Sequence, residues 1–194
     1  MAQPHILVIL GSTRQGRLGE TVARWLYPIV ESREDMTAEM ADLRDWKLPY
    51  YDRASEASAS DYAGDAHCLA WAEVVGRADA FLLITPEYIL GYPAVVKSAL
   101  DAVYEEWNRK PITFAGYGGW SGGVRGVEQL RQVAVELQMV PIRSSLVLQF
   151  ARRLFDEAGQ PKSPDFYHRA ATRMLDELAW WAVALKKARE DSAG

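Results

Sequence analysis

The stretch HILVILGSTRQGRLGE, residues 5–20, predicts the fold of this chain. Its first part holds five consecutive apolar residues, Ile6 to Leu10, which is typical of a buried strand. A mostly polar, glycine-containing segment follows, and apolar residues then recur at helical spacing from Val22 to Val30. The stretch therefore predicts a strand, a polar loop and a helix, in that order.

The same alternation of strand and helix patterns continues along the chain. Apolar runs at 38–43, 80–84, 111–118 and 140–150 alternate with helical patterns at 62–77, 93–107, 127–137 and 165–187. Parallel strands need crossover connections, which usually carry helices. We predict one α/β domain over residues 1–194: a flavodoxin-like three-layer sandwich with a five-stranded parallel sheet in order 2-1-3-4-5 and helices on both faces.

Composition excludes several classes of function. Hydrophobic residues make up 49% of the chain and charged residues 25%, and the net charge of -4 offers no broad cationic surface for nucleic acid. The single cysteine, Cys68, cannot form an internal disulfide, and the His and carboxylate residues show no metal-ligand spacing. No apolar run reaches membrane-spanning length and no signal peptide is recognisable, so we predict a cytoplasmic protein without membrane, nucleic-acid or metal partners.

The most unusual loops follow strands 1, 3 and 4. In an open parallel sheet, ligands bind beyond the carboxyl ends of the strands, where the winding reverses. The loop after strand 1 places Ser12, Thr13, Arg14 and Arg17 beside a helix start, where backbone amides and the helix dipole favour an anion. A simply capped helix with two solvated arginines is the alternative interpretation. Arg17 and Leu18 occupy the positions where an ATP-binding loop needs lysine and a hydroxyl residue, which excludes an ATPase.

The loop after strand 4 permits a second hypothesis. Gly119-Trp-Ser121-Gly-Gly123 fits the Gly-x-Ser-x-Gly pattern of serine hydrolases and lies between a predicted strand and a predicted helix. His168 is the only histidine that follows Ser121 in the chain, with Asp165 or Asp156 as its acidic partner. Because His168 falls in the opening turns of the last predicted helix, this triad is poorly supported.

Taken together, the three loops resemble those of the NADPH-dependent FMN reductase family, whose members share the flavodoxin-like fold. The resemblance runs from about His5 to Gln149. It rests on three motifs: Gly11-Ser-Thr-Arg14, Thr85-Pro-Glu-Tyr88 with the following segment to Asp101, and Tyr117-Gly-Gly119 with Ser121-Gly-Gly123.

The resemblance implies a cofactor, FMN, and the residues that bind it. The implied phosphate-binding residues are Ser12, Thr13, Arg14, Arg17, Leu18 and Gly19. The implied ring-binding residues are Pro86, Glu87, Tyr88 and Ile89 on one loop and Tyr117, Gly118 and Gly119 on the next. The family often has serine and asparagine where this chain has Arg17 and Gly19, and asparagine where it has Ile89.

The resemblance also implies a reaction. NADPH or NADH passes hydride to flavin N5, and a small acceptor then takes the electrons: free flavin, a quinone, an azo compound or a metal oxyanion. No catalytic side chain is needed. Family members are usually homodimers or homotetramers, and we predict subunit contacts near Trp107 and at residues 46–51. A non-catalytic electron carrier and a serine hydrolase using Ser121 are the alternative functions.

Overall fold

A parallel sheet at the centre of the molecule positions the loops just described. The computed structural model describes residues 3–50 and 65–192. Within them the strands are β1 His5–Leu10, β2 Thr37–Asp42, β3 Ala80–Pro86, β4 Pro111–Tyr117, β5 Val140–Pro141 and β6 Leu146–Leu148. The strands run parallel in the order β2-β1-β3-β4-β5, and β6 also pairs with β4. The predicted fold and strand order are confirmed.

Helices cover both faces of this sheet. They are α1 Gly19–Glu31, α2 Ala66–Arg77, α3 Ala94–Asp101, α4 Val124–Glu136, α5 Ala151–Leu154 and α6 Pro164–Ser192. Successive strand side chains point to opposite faces, so Ile6 and Val8 pack with α1 and α6, whereas Leu7 and Ile9 pack with α2, α3 and α4. All seven residues of β3 are buried, as expected for the central strand of a sheet covered on both sides.

The predicted fifth strand, residues 140–150, is interrupted. Thr113 Oγ1 donates a hydrogen bond to the Ser144 carbonyl at 2.7 Å, in place of continuous ladder pairing. The backbone amides of Arg143 and Ser144 donate to the Glu177 carboxylate of α6 at 3.2 and 3.1 Å. Because these amides donate to α6 and not to a neighbouring strand, the predicted strand divides into β5 and β6.

Two helix predictions differ from the structure, and one short helix was not predicted. The pattern at 93–107 becomes α3, which ends at Asp101, followed by a short 3-10 helix at Glu105–Trp107. The helix predicted at 62–77 is described from Ala66, where Asp65 caps it by accepting bonds from His67 N and Cys68 N; residues 62–64 lie outside the described part of the chain. The helix that was not predicted is α5, whose four residues are too few to show a period.

The predicted subunit contact at Trp107 is wrong for that side chain. Trp107 is completely buried, with its ring 4.7 Å from Phe81 and its indole N–H bonded to the Leu100 carbonyl. Its large apolar ring belongs to the core. In the other predicted contact, Trp46 packs against Trp71 at 4.8 Å whereas Tyr50 is 82% exposed; Tyr51 lies outside the described residues.

Candidate functional site

A cavity of about 420 Å³ opens at the carboxyl ends of the strands, where the topology predicts it. Three loops line it: Arg14–Leu18 after β1, Pro86–Tyr88 at the end of β3, and Tyr117–Gly119 at the end of β4. A fourth segment after β6 adds Phe150, Arg152 and Arg153. The volume is within the range of small-molecule and cofactor sites.

Most of the predicted site residues line this cavity. They are Arg14, Arg17, Leu18, Pro86, Glu87, Tyr88, Tyr117, Gly118 and Gly119. Four others are nearby but outside the lining: Ser12, Thr13, Gly19 and Ile89. The three loops named from the sequence therefore meet at one cavity, but the sequence does not determine which side chain of each loop lines it.

Unpaired backbone donors distinguish the β1–α1 loop, residues 11–18. None of the backbone N–H groups of residues 12–18 donates a hydrogen bond to another described residue. The first turn of α1, which starts at Gly19, adds the amides that every helix leaves unpaired at its N-terminus. Together with the positive end of the helix dipole, these donors make an anion site.

Gly19 and Tyr117 meet beneath this loop. A Cβ atom on Gly19 would lie 2.7 Å from Tyr117 Oη, so only glycine permits this approach. Burial raises the pKa of the Tyr117 phenol more than its contacts with Ser12 and the Gly19 backbone lower it. The aromatic ring thus packs under the start of α1 and links the β4 loop to the β1–α1 loop.

Arg17 is held by carboxylates. Its Nη1 donates to Asp42 Oδ1 at 2.6 Å, its Nη2 bonds Asp42 Oδ2, and its Nε donates to Glu20 at 3.0 Å. Nη1 also donates to the Ser12 carbonyl, and the side chain is only 3% exposed. The hydrogen bonds that Arg17 donates to Asp42 raise the pKa of Arg17. Burial raises the pKa of Asp42, but Arg17 outweighs it and keeps that pKa below its usual value.

A second arginine supports the same loop from the turn after β2. Arg44 Nη2 donates to the Arg14 carbonyl at 2.8 Å, and its Nη1 donates to Glu20 at 3.0 Å. Arg17 and Arg44 therefore both bond carbonyl oxygens of the loop. With these carbonyls engaged, the loop keeps its N–H groups available for a ligand.

The loop after β3 makes a tight turn with unusual backbone angles. Tyr88 N and Gly91 N each donate to the other residue's carbonyl, at 2.8 and 3.0 Å. The two residues between them, Ile89 and Leu90, have φ values of 47° and 69°. Positive φ is strained for a β-branched residue such as Ile89 and is better suited to asparagine or glycine. The turn leaves Ile89 fully exposed, beside the cavity rather than inside it.

Hydroxyl and aromatic contacts then connect this turn to the β1–α1 loop. Ser12, which is completely buried, shares a 2.8 Å hydrogen bond with Tyr88 Oη. The Arg14 guanidinium lies 5.4 Å from the centre of the Tyr88 ring. Ser12 thus orients Tyr88, which lines the cavity.

Glu87 connects the β3 and β4 loops. Its carboxylate accepts from Ser121 Oγ at 2.8 Å, from Arg125 Nε at 2.7 Å and from Arg125 N at 3.1 Å. Burial raises the pKa of Glu87, but these bonds and the Arg125 charge outweigh it and lower that pKa overall. Glu87 is therefore an ionised, fully paired group that fixes the Tyr117–Gly123 segment.

The same contacts argue against the hydrolase hypothesis. The described hydrogen-bond partners of the Ser121 hydroxyl are Glu87 and Arg125, neither of which is a histidine base. His168 is exposed in the first turns of α6. The Ser-His arrangement that acyl transfer needs is absent from the described residues. The glycines of the motif have a structural role: a Cβ at Gly123, where φ is 92°, would lie 2.5 Å from Tyr117 N.

Sequence reasoning missed Phe150, Arg152 and Arg153. Phe150 N and Ala151 N donate to the carbonyls of Gly119 and Gly118, at 2.8 and 3.0 Å, which sets the start of α5 against the β4 loop. The predicted fifth strand ended in this region. In an open parallel sheet, ligands bind beyond the carboxyl ends of the strands. Applied to the predicted fifth strand, this rule would have indicated these residues.

Comparison with known proteins gives the family of this chain. Residues 4–152 match the family described as NADPH-dependent FMN reductase. An NAD(P)H-dependent FMN reductase of Schizosaccharomyces pombe is 38% identical over 148 residues, 75% of this chain and 74% of the relative. A quinone reductase of Pseudomonas putida is 28% identical over 190 residues, 94% of this chain and 96% of the relative.

A solved structure shares the fold. The flavoenzyme NAD(P)H:(acceptor) oxidoreductase FerB from Paracoccus denitrificans superimposes with a TM-score of 0.72 at 22% identity, covering 93% of this chain and 98% of FerB. In the part of the chain that the structure describes, no helix is both long and apolar enough to traverse a bilayer. Because the family match covers residues 4–152 and the S. pombe relative is 38% identical over 75% of this chain, the chain belongs to the NADPH-dependent FMN reductase family and is an NAD(P)H-dependent oxidoreductase that uses FMN.

Proposed function

We propose that the cavity binds FMN with its phosphate at the β1–α1 loop and its ring between Tyr88 and the Gly118-Gly119 backbone. The observation that carries this proposal is the row of unpaired N–H groups over residues 12–18, at one end of a cavity whose other end is aromatic and glycine-lined. The amides suit a phosphate. A Cβ at Gly119 would meet nothing within 4 Å, so this backbone leaves space for a flat ring.

The chain's own residues position the groups that react. Bound FMN supplies N5, the atom that accepts hydride from nicotinamide and returns two electrons to a second substrate. Glu87 is held by Arg125 and Ser121, and the Ser12 and Tyr88 hydroxyls bond each other. We therefore assign no side chain as a catalytic acid or base; the protein binds, orients and leaves one face of the ring accessible.

For the acceptor, we propose a quinone or another flat aromatic molecule. Exposed apolar side chains surround the cavity: Ile89, Leu90, Trp120 and Phe150. Exposed aromatic surface of this kind favours planar apolar partners over small hydrophilic anions. The P. putida relative is named a quinone reductase, which supports the same choice.

The same exposed rim supports a homodimer or homotetramer. Large exposed apolar residues commonly mark a surface that another chain covers. We propose that a second copy of this single-domain chain covers part of the rim, and that the protein works in the cytoplasm. Sedimentation at micromolar concentration tests the assembly: a species at monomer mass would contradict it.

The test of the proposed function is flavin reconstitution. Apo-protein is titrated with FMN, and the visible spectrum is recorded before and after NADPH is added without oxygen. We expect stoichiometric binding and bleaching by NADPH, followed by recovery of the flavin spectrum when a quinone is added. Absence of FMN binding would contradict the proposal.

Two variants sharpen that test. Gly119→Leu places a larger side chain where the ring is proposed to lie and should weaken FMN binding at least tenfold, while Gly119→Ala, whose Cβ meets open space, serves as the matched control. Ser121→Ala addresses the hydrolase alternative. It should keep FMN binding and NADPH oxidation, and any esterase activity that it abolished would count for the hydrolase.

A further inference from the structure

The arginines that line the cavity differ in how their charges are used. Arg14, Arg17, Arg152 and Arg153 all contribute to the lining. Arg17 is neutralised by Asp42 and Glu20, with its guanidinium almost fully buried. The charge that the sequence assigned to the phosphate is therefore already paired within the protein.

The charges of Arg152 and Arg153, unlike that of Arg17, are not neutralised in this way. Both are exposed on α5, and neither pairs with a carboxylate of the described residues. Two adjacent exposed arginines with no carboxylate partner leave positive charge available to an anion at this wall of the cavity. The cavity that they line contains one carboxylate, Glu87, which Arg125 neutralises.

The segment that carries this pair runs from the ring end of the cavity to α1. At one end, Phe150 N and Ala151 N bond the Gly118-Gly119 backbone. At the other, the Phe155 ring lies 5.9 Å from Trp25 of α1, and a Cβ at Gly159 would lie 3.7 Å from Thr21 Cγ2. The arginine pair thus lines the same cavity as residues 14–18 of the β1–α1 loop.

We propose that Arg152 and Arg153 bind the phosphate of the flavin from the side opposite the β1–α1 loop, and that Arg17 positions this loop without binding the phosphate. This rests on the proposed FMN function. Guanidinium groups form short, charge-assisted bonds to phosphate, and a phosphate monoester carries close to two negative charges at neutral pH. The pair supplies the compensating charge that Arg17 does not.

The experiment compares FMN with riboflavin, which lacks the phosphate. Affinities are measured by quenching of flavin fluorescence on titration with apo-protein, without turnover. For Arg152→Gln combined with Arg153→Gln, we expect FMN affinity to fall about 10- to 100-fold and riboflavin affinity to stay unchanged. The matched control is Arg169→Gln combined with Arg173→Gln, two exposed arginines of α6 outside the cavity lining, which removes the same charge and should change neither affinity.

Two results would overturn the proposal. Equal loss of FMN and riboflavin would mean that the pair supports the fold or the ring. Unchanged FMN affinity with a raised KM for NADPH, but not for NADH, would mean that the pair binds the phosphate of the donor. If the unsubstituted protein binds neither flavin, the proposed function itself fails, which is a different result from either of these.

Discussion

The two ends of the sheet treat polar groups in opposite ways. At the amino end, Asp79 accepts hydrogen bonds from His5 N at 3.0 Å, Lys186 Nζ at 2.8 Å and Arg189 Nη2 at 2.9 Å. Lys110 Nζ donates to the carbonyls of Val75 and Gly76. At the carboxyl end, by contrast, the amides of residues 12–18 have no partner among the described residues. At the amino end these polar groups bond within the fold. At the carboxyl end the backbone amides of residues 12–18 remain available to a ligand.

The difference has an energetic basis. A buried polar group without a partner costs about 1–3 kcal/mol, so a fold retains such groups only where solvent or a ligand reaches them. Positive φ values, by contrast, occur at both ends: 47° at Ile89 and 46° at Phe150 near the cavity, and 59° at Arg109 and 55° at Gln138 before the amino ends of β4 and β5. Substitutions at the amino end should therefore change stability without changing flavin affinity, and substitutions at the carboxyl end should change affinity more.

The largest effect is expected at Asp79. Asp79→Ala leaves the His5 amide and two cationic side chains without their acceptor at a nearly buried position, and should lower the free energy of unfolding by about 3 kcal/mol. Urea denaturation measures this, with Asp176→Ala as the control because Asp176 forms an exposed ion pair with Arg33. The control should cost under about 1 kcal/mol. A lowered FMN affinity in folded Asp79→Ala would contradict the separation of the two ends.

Lys110, at the amino end of the sheet, should make the free energy of unfolding depend on pH. Burial, reinforced by the nearby Arg189 charge, lowers the pKa of Lys110 to about 8 in the folded protein. In the unfolded chain the lysine pKa is about 10.4, so between about pH 8 and 10 the unfolded state binds more protons. Stability from this group should therefore rise with pH in that window, by about 1 kcal/mol per pH unit.

The measurement is urea denaturation of the unsubstituted protein and of Lys110→Met from pH 7.5 to 9.5. Methionine fills a similar volume but does not titrate, so this variant should lack the rise that the unsubstituted protein shows. All other titrating groups are shared by the two proteins and cancel in the difference. Parallel pH curves would show that Lys110 keeps an ordinary pKa.

Local sequence patterns were sufficient for the sheet but not for the side-chain partners in the site. The periods of 2 and 3.6 predicted the strands and helices, the flavodoxin-like arrangement implied the strand order, and the topology rule then located the loops. The partner of Arg17 is Asp42, 25 residues away at the end of β2. Pairing across strand ends depends on register, which the pattern of a single strand does not contain. The predicted role of Arg17 in phosphate binding therefore assumed an available charge.

Arg152 and Arg153 were missed for a different reason. They lie on a helix of four residues, too short for a hydrophobic period, after a strand that is itself divided because Glu177 bonds the amides between β5 and β6. Both features depend on contacts with α6, which is distant in sequence. Elements whose pattern lies within a short stretch of sequence were therefore predicted. The α5 wall of the cavity depends on contacts between residues distant in sequence, and it was not predicted.

At the carboxyl end, Asp42→Asn tests the positioning role of Arg17. An amide cannot offer the two anionic oxygens that the Arg17 guanidinium bonds, so the β1–α1 loop should lose part of its order. We expect FMN affinity to fall by about fivefold to tenfold, and the affinity for riboflavin, which lacks the phosphate that this loop binds, to change less. Unchanged FMN affinity would show that the Arg17–Asp42 pair is not needed to position the loop.

The smallest effect is expected at Ile89, where the strain can be removed without loss of a packing contact. Its side chain is fully exposed and its φ is 47°, a conformation that asparagine adopts at lower cost. Ile89→Asn should therefore raise the free energy of unfolding by about 0.5–1 kcal/mol in urea denaturation, with Ile89→Val, which stays β-branched, unchanged. If the strained turn serves the acceptor, the stabilised Ile89→Asn protein should also show a higher KM for a quinone at unchanged FMN affinity. A stabilised variant with unaltered quinone kinetics would show that the strained turn does not serve acceptor binding.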